Sequence, residues 1–397
     1  MNNSPRCDIF CNVIDNYGDV GVSWRLARQL ANEFSCKVRL WVDDLQSFVK
    51  LCPEADVKLT VQRNRGVEIH LWCDTFEGVC AADFVIEAFA CNMPDVYLAA
   101  MAARDKEPVW VNLEYLSAEA WIEGCHKLPS PKPPLTRYFF FPGFTRRTGG
   151  LLLEHDLLAR RDEFQSDTVQ QANYWKSLGI KTPDARTLKI SMFAYENEAL
   201  SALFDVWVHG CQPILCLVPE GRILPQVLHY FGNCTGLSSG VRHYLRGNLE
   251  VVVLSFVEQE RYDELLWACD INFVRGEDSC VRAQWAGKPF VWQIYPQHDA
   301  VHRDKLQAFL DLYGRRLSLP VVQAMHDLWR IWNGESGGAN VESSVCTAWL
   351  STLTVREEWN EHATSWALEL SKNTLALNLL DFFQEIGRIR AFEIEEQ

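Results

Sequence analysis

The stretch FVRGEDSCVRAQWAGKPFVWQIYPQ, residues 273–297, decides the fold. It opens as an apolar extended run, Arg275-Gly276 turns the chain, and Glu277, Asp278 and Ser279 enter a helix. Val281 and Trp285, four apart, mark the buried face of that helix, and PFVWQI is extended again. Strand, turn, helix and strand in this order form the βα unit of a parallel sheet, whose ligands sit beyond the carboxyl ends of its strands. Residues 13–28, VIDNYGDVGVSWRLAR, have the complementary form: an extended segment, a glycine turn carrying Asp15 and Asp19, then a helix. Its apolar positions Val20, Trp24, Ala27 and Ala31 recur at spacings of four, three and four, which leaves Arg25 and Arg28 away from the centre of the apolar face. Two such segments far apart in the chain predict one cleft built by two domains.

A chain of 397 residues exceeds the size at which single cores stop growing, about 250 to 300 residues. The alternation of short apolar runs with helical stretches repeats in both halves. In the first, residues 9–14, 38–42, 67–72, 84–88, 109–113 and 138–141 read as strands; in the second, residues 188–193, 214–218, 251–254, 271–274 and 290–294. The charged stretch 160–186, ending in KTPDAR, marks the switch between them. The expected division is 1–180 for an N-terminal Rossmann-like domain, 181–365 for a second one, and 366–397 for a helical segment packing back towards the first. Residues 374–386, TLALNLLDFFQEI, have the apolar density of a docked helix.

The formal charge of -14 argues against non-specific binding to nucleic acid, so an anionic ligand must be met locally by helix N-termini and a few arginines. The 14 cysteines form no C-x-x-C pair, and several, such as Cys7, Cys11, Cys73 and Cys216, stand inside apolar runs. They read as core thiols of a cytoplasmic protein, with no zinc site. No signal core and no membrane-length apolar run of about 18 residues is visible. NYGDVG departs from G-x-G-x-x-G, which counts against a nicotinamide enzyme.

Each candidate residue has a structural reading beside its chemical one. Asp15 and Asp19 can work as paired carboxylates, one accepting a proton while the other orients a nucleophile, or make an Asx turn and a helix cap. Glu277, Asp278 and Ser279 can meet a diphosphate or sugar at the helix entrance, or simply cap it. Phe193 and Tyr195 share one side of an extended chain and can wall a base, or pack on a helix. Phe256, Gln259 and Tyr295 follow other strands of the same half, where Gln can read a base edge or face water. Arg282 has the charge to balance phosphate or a nearby carboxylate, although surface exposure is the commoner fate of a lone Arg.

Taken together, DNYGDVGVSWRLARQL (residues 15–30), SMFAYEN (residues 191–197) and the opening stretch strongly resemble the EarP family, bacterial protein-arginine rhamnosyltransferases acting on translation elongation factor P. The resemblance spans essentially the whole chain. It implies an α/β GT-B fold, two Rossmann-like domains facing across a central cleft, and inverting transfer of L-rhamnose from dTDP-β-L-rhamnose to one arginine side chain. It further implies Asp19, Asp15 and Glu277 as catalytic carboxylates around the acceptor guanidinium. Phe193, Tyr195, Phe256, Gln259 and Tyr295 fall on nucleotide contacts, and Asp278 and Ser279 on the sugar-diphosphate end. No metal and no further cofactor are implied. The acceptor is a folded protein docking mainly on the N-terminal domain. Two other readings stand beside it: a GT-B glycosyltransferase with another donor or a small-molecule, lipid or glycan acceptor, and a non-enzymatic nucleotide or partner-binding protein.

Overall fold

The computed structural model describes residues 4–13, 17–72, 78–232, 236–238, 241–296, 301–335 and 341–395. The chain divides into two compact units, Met1–His155 with Leu370–Gln397, and Asp156–Glu369.

The first unit opens with β1 (Arg6–Cys11), α1 (Gly18–Asn32), β2 (Lys37–Val42), α2 (Leu45–Leu51), β3 (Val61–Asn64) and β4 (Val67–Leu71). It continues through β5 (Phe84–Ala88), α3 (Asp95–Ala102), β6 (Val109–Leu113), α4 (Ile122–Cys125), β7 (Pro129–Lys132) and β8 (Leu135–Phe140). The strands form one sheet in the order β3-β4-β2-β1-β5-β6-β8-β7. All pairings are parallel except those of the edge strands, β3 with β4 and β7 with β8. β5 and β6 are buried along their whole length, as a parallel strand covered on both faces must be. Because β1 pairs with β2 on one side and β5 on the other, the connections leaving β1 and β5 diverge and open a crevice at the carboxyl edge.

Helix α1 is buried more completely than its periodicity predicts. Val20, Trp24, Ala27 and Leu30 are inaccessible, and Arg25, expected off the apolar face, is 1% exposed. A charge is tolerated there because Arg25 Nη1 lies 3.4 Å from Glu154 Oε1, while Gln29 Nε2 donates to the Leu153 carbonyl at 2.5 Å. Segment 153–155 therefore fastens α1.

The second unit contains α5 (Leu157–Ser166), α6 (Thr168–Ser177), β9 (Leu188–Met192), α7 (Leu200–His209), β10 (Ile214–Pro219) and α8 (Leu224–Phe231). Then come β11 (Gly236–Ser238), β12 (Val241–Arg246), β13 (Leu249–Leu254), α9 (Gln259–Ala268), β14 (Ile271–Arg275), α10 (Asp278–Trp285) and β15 (Phe290–Gln293). The helices α11 (Val301–Tyr313), α12 (Leu319–Trp332) and α13 (Val341–Leu370) complete it. The sheet order is β11-β12-β13-β10-β9-β14-β15, with β9 at the switch between β10 and β14. The division falls at His155, earlier than the boundary at residue 180 that the KTPDAR stretch suggests. The reason is packing: Phe164 of α5 meets Trp267 of α9 with ring centroids 5.9 Å apart, and Arg161 Nη1 donates to the Trp285 carbonyl at 2.9 Å.

The chain ends in α14 (Leu375–Glu395), which belongs to the first unit. Phe382 packs on Tyr138 and Phe140, Phe383 stacks on Phe84, and Arg390 holds the Glu107 and Pro108 carbonyls. At the entry to α14, Leu151 bridges Thr374. A Cβ on Gly150, which has φ +75°, would come within 2.3 Å of the Asn373 carbonyl oxygen, so only glycine fits.

Arg282 corrects the expectation of a surface charge. It is 1% exposed and makes a bidentate pair with Asp263, Nε to Oδ1 at 2.8 Å and Nη2 to Oδ2 at 2.7 Å. The pair locks α10 onto α9. Arg282→Met alone should cost about 3 to 5 kcal/mol by stranding a buried carboxylate. Adding Asp263→Leu should recover most of that loss. Urea unfolding followed by tryptophan fluorescence checks both.

Candidate functional site

In the first unit, Asp19 lies in the first turn of α1, where the helix dipole favours a negative charge. It is not the cap, since Tyr17 holds that position, with no side-chain capping bond. Its carboxylate is 8% exposed and accepts a hydrogen bond from the Tyr115 hydroxyl, Oδ2 at 3.3 Å. Tyr115 follows β6, so two connections at the carboxyl edge meet at this acid. Gly18 and Gly21 are helical and take no left-handed conformation. Asp15 lies outside the described residues.

In the second unit, the carboxyl ends of β9, β14 and β15 converge. The chain leaving β9 places both Phe193 and Tyr195 against one guanidinium, that of Arg275, the last residue of β14. The centre of the guanidinium is 4.6 Å from each ring centroid. Arg275 is 8% exposed, and its Nε and Nη1 are buried with no hydrogen-bond partner among the described residues. Cation–π contact offsets part of the cost of burying this charge, but guanidinium nitrogens are strong donors. A buried guanidinium with unmet donors is suited chemically to an anionic partner.

The surroundings fix the receptor. Tyr195 N donates to Gln293 Oε1 at 2.8 Å, and Tyr295 meets the Tyr195 ring edge-on at 5.7 Å while remaining 45% exposed. Gly276, at φ +63°, lets the chain turn into α10 beside the Tyr195 hydroxyl, and Trp292 Nε1 ties its carbonyl at 2.6 Å. Glu277 stands at the N-cap of α10 and makes no side-chain cap, and Asp278 begins the helix. The first-turn N–H groups of such a helix have no intrahelical acceptor and carry the positive end of its dipole. The Ser279 hydroxyl, expected to face a ligand or cap the helix, is instead buried against the backbone of Arg275: it accepts from that N–H at 3.2 Å and donates to that carbonyl. It shapes the turn.

Gln259 is the first residue of α9, and Phe256 lies in the connection from β13. One turn beyond Gln259, Tyr262 meets Phe193 edge-on at 5.6 Å and so joins this helix to the Arg275 cluster. Burial raises the Tyr262 phenol well above its ordinary range and keeps it protonated. The structure thus gathers Phe193, Tyr195, Tyr295, Glu277, Asp278 and Ser279 about one edge of one sheet. Sequence reasoning passed over Arg275, Tyr262 and Tyr115. The available signal for Arg275 was a charge ending an otherwise apolar strand, INFVR.

Residues 7–384 match the model of a family described as "Elongation-Factor P (EF-P) rhamnosyltransferase EarP". The chain belongs to the EarP family. A protein-arginine rhamnosyltransferase of Pseudomonas putida (strain KT2440) is 47% identical over 380 residues, 95% of this chain and 98% of that one. A solved structure described as the structural basis for EarP-mediated arginine glycosylation of translation elongation factor EF-P is 34% identical. It has a TM-score of 0.68 and covers 96% of this chain and 99% of its own. MurG of Acinetobacter baumannii, 13% identical, shares the fold with a TM-score of 0.50 over 96% of this chain and 100% of its own. The EarP chain is an α/β protein of GT-B class, with a Rossmann-like sheet in each unit.

If the site takes an anion, Arg275→Met should weaken binding of inorganic pyrophosphate about 10- to 100-fold, the worth of charge-assisted hydrogen bonds to one guanidinium. The same change should leave thermal stability equal or higher, because it removes a buried charge whose donors are unmet. Calorimetric titration and a melting curve read the two effects.

Proposed function

We propose that this chain transfers L-rhamnose from dTDP-β-L-rhamnose to an arginine side chain of translation elongation factor P, with inversion at the sugar carbon. The observation that carries the donor half is Arg275: a buried guanidinium in contact with two aromatic rings, with unmet donors, beside a helix N-terminus. A nucleoside diphosphate has the matching chemistry, an anion joined to a flat ring. The family carries the acceptor half.

The second unit is assigned the donor. Arg275 and the first-turn N–H groups of α10 hold the diphosphate; Asp278 lies at its sugar end. Phe193, Tyr195, Tyr295, Phe256 and Gln259 are assigned to thymine and deoxyribose. Glu277 is the carboxylate at the reacting sugar. As the bond from the anomeric carbon to the diphosphate oxygen breaks, negative charge grows on a group that Arg275 and the helix dipole already stabilise. No strong protonating acid is then required.

The first unit is assigned the nucleophile. An arginine side chain is protonated in water, with a pKa above about 12, and its lone pairs are delocalised, so it attacks only if a base takes its proton as the new bond forms. We assign that base to Asp19, with Asp15 orienting the guanidinium. One nitrogen attacks the anomeric carbon from the face opposite the diphosphate, dTDP departs, and the proton passes to Asp19. A single displacement inverts the centre.

Incubating the chain with dTDP-β-L-rhamnose and elongation factor P should add one deoxyhexose to one arginine, read by intact mass and fragmentation. Asp19→Asn should reduce transfer by a factor of about 10² to 10⁴, as expected for loss of a general base, with dTDP affinity unchanged. Near-normal turnover by that variant would remove Asp19 from the mechanism.

A further inference from the structure

Three residues just beyond β5 adopt a left-handed backbone that L side chains rarely take: Phe89 at φ +57°, Ala90 at φ +52° and Asn92 at φ +54°. Asparagine tolerates this region, but phenylalanine and alanine do so only when their surroundings impose it. Here the imposition is explicit. Phe89 N donates to the Leu113 carbonyl at 2.7 Å, and Ala90 N to Asn112 Oδ1 at 2.9 Å. Asn92 N donates to Glu87 Oε1 at 3.2 Å, and Asn12 Nδ2 holds the Cys91 carbonyl at 3.0 Å. Asn112 and Glu87 are themselves buried in the sheet, and Arg137 Nη1 pairs with Glu87 Oε2 at 3.0 Å. Buried polar groups on two central strands are thus committed to holding one short loop in an unfavourable shape.

That shape delivers Phe89. Its ring, nearly buried, stacks on Tyr115 with centroids 4.6 Å apart and planes 20° from parallel. The stack limits the ring orientation of a tyrosine whose hydroxyl donates to Asp19. Strain that persists only because its surroundings over-determine it collects at functional sites, and this loop leaves β5 at the crevice beside β1.

We infer that Tyr115 is a positioning residue for transfer: it fixes the Asp19 carboxylate in the orientation that receives the acceptor proton, and the strained loop 89–92 exists to hold Tyr115 there through Phe89. This rests on the assignment of Asp19 as the base. Tyr115 touches the acid and forms no bond to the reacting atoms. A small rotation of a catalytic carboxylate is costly, since displacement by about 1 Å lowers rates by about 10²-fold.

The test compares Tyr115→Phe, Phe89→Leu and Asp19→Asn with the unaltered chain in rhamnosyl transfer from dTDP-β-L-rhamnose to elongation factor P, with dTDP titration and melting curves alongside. Tyr115→Phe should lower kcat about 10- to 100-fold, with KM for the sugar nucleotide, dTDP affinity and melting temperature unchanged. Phe89→Leu keeps the apolar contact and loses the stack, so it should lower kcat by a smaller factor with the same split. If Asp19→Asn is inactive while Tyr115→Phe and Phe89→Leu turn over normally, the positioning role is wrong and the assignment of Asp19 stands. If Asp19→Asn turns over normally, both fall. A loss in Tyr115→Phe and Phe89→Leu that appears equally in dTDP affinity or melting temperature marks a structural role and overturns the inference.

Discussion

A guanidinium cannot shed its charge at any pH a protein survives, and that constraint governs the second unit. Arg275 ends the buried strand β14 and has to be accommodated where it stands. A carboxylate would satisfy it and close the site. Two aromatic rings and a tight glycine turn stand there instead, with Phe193, Tyr195, Gly276 and Trp292 around it. The cluster is built around a buried charge that cation–π contact alone compensates only in part.

Other arginines show the contrast. Arg39 with Asp8, Arg137 with Glu87 and Arg282 with Asp263 are each matched by a carboxylate, with at least one partner of every pair nearly inaccessible. These pairs sit in the sheets or between helices that bear on the carboxyl edges. They contribute little net stability compared with apolar packing, but breaking one is expensive, so each tolerates a single arrangement. Asp263 with Arg282 keeps α9 and α10 in step, and Glu87 with Arg137 anchors the loop that carries Phe89. Rigidity at the carboxyl edges is supplied from below by matched charges.

Much of this was legible in the sequence, for a physical reason. Parallel strands buried on both faces appear as apolar runs, so β2, β5, β6, β9, β10, β13, β14 and β15 stood out. The edge strands β3, β7 and β11, and β12 next to β11, do not, because such strands carry polar residues, as VQRN of β3 does. Asp19, Phe193 and Tyr195 stand out as candidates because they follow strands in a fold whose ligands sit there. Arg25 and Arg282 are buried where periodicity alone assigns a charge to water; a carboxylate partner is among the readings of Arg282, but Glu154 and Asp263 are invisible as the partners from a local window. The boundary was set late for a related reason: α5 and α6 have polar outer faces that resemble a linker until their packing against α9 is seen. The strain at Phe89 and Ala90 has no local signal, since neither is a residue that favours the conformation.

The return of α14 to the first unit has a consequence for synthesis. Unit Asp156–Glu369 is a continuous stretch, whereas the first unit is split and finishes with Leu370–Gln397. A chain emerging from the ribosome therefore exposes everything the second unit needs before the first has its last helix, although domains ordinarily complete in the order of their sequence. Until α14 arrives, Phe84, Tyr138 and Phe140 lack the aromatic partners that cover them. The half that begins first is completed last, so a prematurely terminated chain would contain a whole second unit beside an unfinished home for Asp19.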